Sequence, residues 1–159
     1  MILLTGVTGT TGKEVANLMK DATLPVRAMV RNIEKATFLK GSNIELIEGS
    51  FDDADSINFA LDGVNKAFLL PANSENQLEH EIRFIDLAKD NGVEHIVKFS
   101  VICSDSTSDN QIFQWHGKQK NILKNQELLT PTYSQISLCK TLYLLLVDQL
   151  KKKMHFTYL

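Results

Sequence analysis

Short apolar runs alternate along the chain with stretches in which apolar residues recur every three or four positions, and the alternation begins at the first residue. Met1 to Thr5 is a strand pattern that runs directly into glycine, and Lys13 to Lys20 carries Val15, Leu18 and Met19 at helical spacing. The unit then repeats. Pro25 to Val30 reads as a strand, Ile33 to Lys40 as a helix, Ile44 to Ile47 as a strand, and Asp53 to Leu61 as a helix capped by Asp52 or Asp53. Val64 to Leu70 is a strand ended by Pro71, Leu78 to Lys89 a helix stopped at Asn91-Gly92, and Val93 to Phe99 a fifth strand. Apolar strands in alternation with amphipathic helices predict an α/β doubly wound parallel sheet, covered on both faces and joined by right-handed crossovers, with five strands in the order 3-2-1-4-5.

After Ser100 the pattern changes. Ser104 to Asn110 is polar and aperiodic, and a helix is expected from Gln111 or Trp115 to Lys124. Beyond Lys124 the alternation stops: residues 125–159 hold no glycine, one proline, an apolar stretch and the run Lys151-Lys152-Lys153. The plain reading of this segment is an amphipathic C-terminal helix.

Composition narrows the class without changing the pattern. At 159 residues, 43% hydrophobic and 23% charged, the chain has the profile of one soluble globular domain. A domain of this length buries roughly 70% of its unfolded surface, so it needs no disulfide staples. Cys103 and Cys139 lack metal-ligand spacing, and no signal peptide stands ahead of them, so a reducing cytoplasm is the expected location and no metal is expected. A net charge of −2 argues against nucleic acid as a partner. No run reaches the roughly 18 apolar residues that span a bilayer. A small molecule is the expected partner.

The chemistry is expected at the first turn. Gly6-Val7-Thr8-Gly9-Thr10-Thr11-Gly12 lies between the first strand and the first helix, the context that gives a glycine motif meaning. Gly6 permits the tight turn, Gly9 lets backbone approach a pyrophosphate, and Gly12 allows close helix packing, while amides at the helix start favour the anion. Thr8, Thr10 and Thr11 can add hydroxyl donors, or serve as ordinary cap residues. The second strand ends in Arg31, where an NAD-preferring site would place an acid. A guanidinium fork suits a 2′-phosphate, which favours NADP with NAD as second choice; the alternative is a solvated surface arginine.

The loops after the other strands should line the same crevice. Asp52 can meet the adenine amine or cap a helix, two compatible roles, and Asn73 can touch ribose or hold a turn. Leu70, Pro71 and Ser100 complete the expected cofactor wall. Near the nicotinamide, His116 and Lys118 are the ionisable candidates for catalysis: an imidazole titrating near neutrality, and a cation to steady an oxyanion. The alternative is a solvated pair on a surface helix.

Taken together, GVTGTTGKEV, VRNIEKA, EGSFDDADS, KAFLLPANSENQ, GVEHIVKFSV and QWHGKQKNIL resemble the NmrA-like branch of the atypical short-chain dehydrogenase/reductase superfamily, from Met1 to about Lys124. The GxxGxxG spacing points the same way. The resemblance implies a Rossmann domain over residues 1–124 that binds NADP or NAD through the glycine turn and the basic residue after the second strand. It implies either a reductase of quinone-like or azo acceptors, or a redox sensor that binds the cofactor without turnover. The Tyr-x-x-x-Lys pair of classical short-chain dehydrogenases is absent, as it commonly is in this branch.

In such proteins the histidine helix is followed by a segment like SGLPYTILRPNFFMQN, the sixth strand and the start of a substrate lobe. Here Asn125 to Lys140 reads differently. Shifted by one reading frame from Asn125, however, the permitted codons spell S-G-I-P-Y-T-x-L-x-P-N-F-F-M-Q-N. The expectation is therefore an out-of-frame tail over residues 125–159, a missing substrate lobe, and an apolar stretch, Leu142 to Val147, that patches the sheet edge or drives self-association. The alternative is a lineage-specific C-terminus. Resequencing the gene tests this: an intact frame through codon 159, with nothing family-like in the alternative frame, excludes the frameshift.

Overall fold

The computed structural model describes residues 1–20, 23–40, 42–72, 74–101, 105–125 and 133–135. Its strands are β1 (Ile2–Leu4), β2 (Val26–Val30), β3 (Ile44–Glu48), β4 (Lys66–Leu69), β5 (His95–Val101) and β6 (Tyr133–Gln135). Its helices are α1 (Thr10–Met19), α2 (Ala54–Leu61), α3 (Gln77–Asp90) and α4 (Gln111–Asn125). All strand pairs are parallel, in the order β3-β2-β1-β4-β5-β6. The expected order of the first five is therefore observed.

β6 lies outside β5, with Phe99, Ser100 and Val101 facing Tyr133, Ser134 and Gln135. It extends the sheet past the edge at which the sequence reading ended it. The rest of the segment after Asn125, including the apolar stretch from Leu142 to Val147, lies outside the described residues, as do Cys103 and Cys139. Among the described residues no helix is long and apolar enough to cross a membrane.

Two apolar layers sandwich the sheet. On one face Gly12, Val15, Ala16 and Met19 of α1, spaced one helical stripe apart, are buried. There Val15, Ala16 and Met19 meet Ile2, Leu4, Val26, Ala28, Val30, Phe68 and Val97. On the other face Ile57, Ala60 and Leu61 of α2 and Phe84, Ile85 and Ala88 of α3 pack on Leu3, Met29, Ala67, Leu69 and Ile96. Strand residues alternate between the two layers as the period of two requires. β2 is buried along its whole length, as a central strand covered on both faces must be.

One local expectation is corrected and one is narrowed. Ile33–Leu39 forms a 3-10 segment with a kink at Ala36, not an α-helix. Ile33, Ala36, Phe38 and Leu39 of this kinked segment pack against the core. The cap of α2 is Asp53, whose side chain accepts from the Asp55 amide. Asp52 is thus not the cap.

Arg27 ties α2 of the second layer to the sheet. It sits mid-strand in β2, and its guanidinium donates to the carbonyls of Phe59, Ala60 and Asp62 at 3.3, 3.0 and 2.8 Å. These are carbonyls at the C-terminal end of α2, which a helix leaves unsatisfied and which favour a cation. Glu45 accepts from the guanidinium at 2.8 Å from its half-exposed position on β3. Arg27→Met keeps the stem and removes the donors, so it is expected to lower the unfolding free energy by about 2–3 kcal/mol. Glu45→Gln, which removes only a solvated partner, should lower it by no more than about 1 kcal/mol. Urea unfolding of both variants checks the ranking, and equal losses would assign the energy to the ion pair instead of the helix end.

Candidate functional site

A cleft of about 720 Å³ opens at the carboxyl ends of the strands. The volume falls in the range of small-molecule and cofactor sites. Gly6, Thr8, Gly9, Thr10, Thr11, Arg31, Asp52, Leu70, Pro71 and His116 line it, so ten positions singled out in the sequence converge there. Met29, Gly49, Phe51, Gln77, His80 and Phe99 are further wall residues.

The three glycines of the first turn divide their work. Gly6 has φ +68, and a Cβ there would collide with the Leu70 carbonyl oxygen. A Cβ on Gly12 would collide with the Gly6 carbonyl oxygen, so α1 starts against the turn itself. Gly9 is exposed toward the cleft and caps α1 with no side-chain hydrogen bond. The first-turn amides therefore have no side-chain acceptor, and Thr8, Thr10 and Thr11 surround them. Amides and dipole at that end make a cradle for an anion. The turn fits a pyrophosphate, since its middle position is open and the flanking two are closed.

Thr5 links the ends of β1 and β4 beside this cradle. Its hydroxyl donates to Phe68 O at 3.0 Å and accepts from the Leu70 amide at 2.9 Å. A side chain thus stands where the β1 and β4 backbones would otherwise continue to pair.

Arg31 is exposed at the end of β2. Across the cleft mouth, Asp52 accepts from the Ser50 hydroxyl at 2.9 Å and lies 2.9 Å from His80 Nε2. The Ser50 hydrogen bond, followed by that with His80, holds its carboxyl below the usual carboxylate range. The His80 ring stacks on Phe51 at 6.2 Å and 18°, and Arg83 donates to Phe51 O at 2.9 Å, which fixes this wall to α3.

The remaining sequence candidates lie elsewhere or outside the described residues. Lys118 is exposed, donates to Gln114 at 3.2 Å, and is not among the lining residues. Ser100 lies on β5, in register with Ser134 of β6. Asn73 lies outside the described residues.

His116 is buried and has a partner that sequence reasoning missed. Its Nδ1 lies 2.9 Å from Lys98 Nζ, and Lys98 Nζ lies 3.1 Å from Glu81 Oε2. Gln77 donates to Glu81 Oε1 at 3.0 Å. Glu81, Lys98 and His116 are only 0%, 1% and 5% exposed. Burial pushes the Glu81 carboxyl up and the Lys98 ammonium down, each opposed by the attraction of the other. The expectation that His116 titrates near neutrality is corrected: burial, then repulsion from Lys98, pushes the imidazole down to about 4. A signal was present in the sequence, because Lys98 interrupts the apolar strand Ile96 to Phe99, and Glu81 falls on the apolar stripe of α3 with Phe84, Ile85 and Ala88.

The imidazole makes stability depend on pH. Its folded value is depressed below the ordinary 6.5, so the unfolded chain binds more protons in the window between the two. Stability is then fully present above about pH 6.5 and is lost as pH falls toward 4. Between about pH 6.5 and 4.5 the loss should be on the order of 2 kcal/mol, and His116→Gln should remove most of that slope. Denaturant unfolding across this range checks it, and parallel slopes in the two proteins would refute it.

The sequence profile of the NmrA-like family matches residues 1–144. The chain is 34% identical over 120 residues to the NAD(P)H azoreductase of Xenophilus azovorans, covering 76% of this chain and 42% of that protein. It is 34% identical over 112 residues to quinone oxidoreductase 2 of Escherichia coli, covering 67% and 38% respectively. The structure of an NADPH-dependent quinone oxidoreductase from Escherichia coli, complexed with NADPH, superposes with TM-score 0.71 at 29% identity, covering 80% of this chain and 46% of that one. The chain spans less than half the length of these relatives. With the glycine turn, the strand order and the profile match in agreement, this chain belongs to the NmrA-like family.

Proposed function

We propose that the cleft binds NADP(H), with NAD(H) as second choice, and that the protein is a reductase of small quinone-like or azo acceptors. The observation that carries this is the glycine turn opening onto one cleft that has Arg31 at one end and His116 at the other. In this reading the amides and hydroxyls of Thr8, Gly9, Thr10 and Thr11 hold the pyrophosphate. Arg31 forks onto the 2′-phosphate, Asp52 accepts from the adenine amine, and Leu70 and Pro71 wall the ring half of the cofactor.

The bound cofactor supplies hydride. The chain's own contribution is to orient the ring and exclude water, which hydride transfer requires. His116, which lines the cleft, is placed for that work, whereas Lys118 points to no part of it. The azoreductase and the quinone oxidoreductase supply the acceptor class.

A second reading is cofactor binding without turnover, as in a sensor. Fluorescence titration with NADPH and NADH, followed by NADPH oxidation in the presence of menadione, separates the two. Binding with turnover supports the reductase, binding without turnover supports the second reading, and absence of binding overturns both. In the same titration Arg31→Asp should weaken NADPH about tenfold or more and leave NADH nearly unchanged. Equal losses for both would remove the 2′-phosphate role.

A further inference from the structure

The polar chain behind the cleft runs through three elements: Gln77 and Glu81 on α3, Lys98 on β5 and His116 on α4. An ammonium has three hydrogens and no lone pair, so it can only donate. A ring nitrogen 2.9 Å from it must present its own lone pair. In a neutral imidazole whose Nδ1 is the acceptor, the proton resides on Nε2. Glu81 makes this arrangement stable, because its carboxylate lies 3.1 Å from the ammonium and is itself held by Gln77. Without it, Lys98 would lose the carboxylate that offsets the cost of its burial, which is strongly disfavoured.

The outcome is unusual for a cleft that accepts an anion at its other end. The His116 Nε2–H is the imidazole's single polar hydrogen, and it belongs to a neutral ring. A neutral donor suits an uncharged acceptor such as a carbonyl oxygen, while phosphates are better served by the α1 amides and Arg31. Strand order keeps these functions apart, since β1 and β4 lie between β2, which carries Arg31, and β5, which backs His116.

We propose that the Glu81–Lys98 pair locks His116 in its neutral Nε2–H tautomer, so that this end of the cleft carries a fixed hydrogen-bond donor for a carbonyl oxygen. Lys98 and Glu81 are positioning residues, and His116 is the group that meets the ligand. The lock rests on the geometry alone. The choice of ligand rests on the cofactor reading above, and its carbonyl is either the carboxamide of the nicotinamide or an oxygen of a quinone acceptor.

Nitrogen-15 NMR of the imidazole in the ligand-free wild-type protein tests the lock directly. Nε2 should show the protonated signature and Nδ1 the bare one, unchanged from about pH 7 to about pH 5. In Lys98→Met the preference should collapse to a mixture of tautomers, with titration moved up toward that of an ordinary histidine. A wild-type protein with the proton on Nδ1 overturns the lock, as does a Lys98→Met spectrum identical to wild type. If that variant does not fold, the wild-type spectrum decides alone. These spectra contain no cofactor, so they hold whether or not the cleft binds a nucleotide.

The ligand arm compares His116→Leu with His116→Gln, which retains a donor. If the carbonyl is the carboxamide, His116→Leu weakens NADPH about tenfold but leaves 2′-phospho-ADP-ribose unchanged, and His116→Gln recovers most of the loss. If it belongs to the acceptor, NADPH affinity stays constant and the KM for menadione rises about tenfold. Unchanged NADPH affinity together with unchanged menadione KM overturns the donor role.

Discussion

Everything at the cleft depends on backbone meeting backbone around Gly6. The end of β4 and the start of α1 both approach this residue so closely that a single Cβ, on Gly6 or on Gly12, would strike a carbonyl oxygen. Close approach brings the N-terminus of α1 up against the sheet without a side chain between them. It therefore aims the unsatisfied amides at the point where neighbouring connections part to opposite faces of the sheet. Thr5 completes the opening by substituting its hydroxyl for a backbone rung between β1 and β4. The cleft is thus a product of main-chain geometry, and its side chains are fitted to a space already made.

The two faces of the sheet contribute unequally. The α1 face is an apolar layer that fixes the turn. The α2/α3 face carries the buried charges, Arg27 against the end of α2 and Lys98 against Glu81. Each occupies a strand position whose neighbours are apolar, and each is answered by a group from a helix. These polar contacts set where α2 and α3 sit along the strands, and so where Asp52, His80 and His116 reach the cleft wall. Electrostatics on one face thereby positions the wall of a cleft whose floor is set by glycines on the other.

Much of this was legible in the sequence because its signals are local. The strand order of the first five strands follows from alternation and crossover handedness, and the glycine turn from spacing within one strand–helix junction. Ten of the named site residues line the cleft, nine of them on loops after strands or on the first turn of α1 and His116 on α4, and the topology brings them together. What was not legible is non-local or sub-pattern. The Lys98 to Glu81 contact joins two elements: each residue stands out within its own apolar pattern, but nothing local pairs the two. The sequence reading expected His116 to titrate near neutrality, because the burial that depresses it is decided by β5 and α3 and not by its neighbours in sequence. The 3-10 segment was hidden by a short window in which periods of three and three and a half look alike, and Asp52 and Asp53 were inseparable until backbone angles distinguished the cap. β6 has no alternation to announce it and exists only as a partner for β5.

The buried ion pair also bears on how this protein can change over generations. Loss of Glu81 alone strands an ammonium in the interior, and loss of Lys98 alone strands a carboxylate, so either single step passes through a poorly folded intermediate. Two apolar residues of similar volume in their place would pack without that penalty. The two positions are thus joined by a valley and not a slope. Descendants keep both charges or exchange both nearly at once, and whichever state a lineage occupies decides whether the histidine beyond them still has a defined proton.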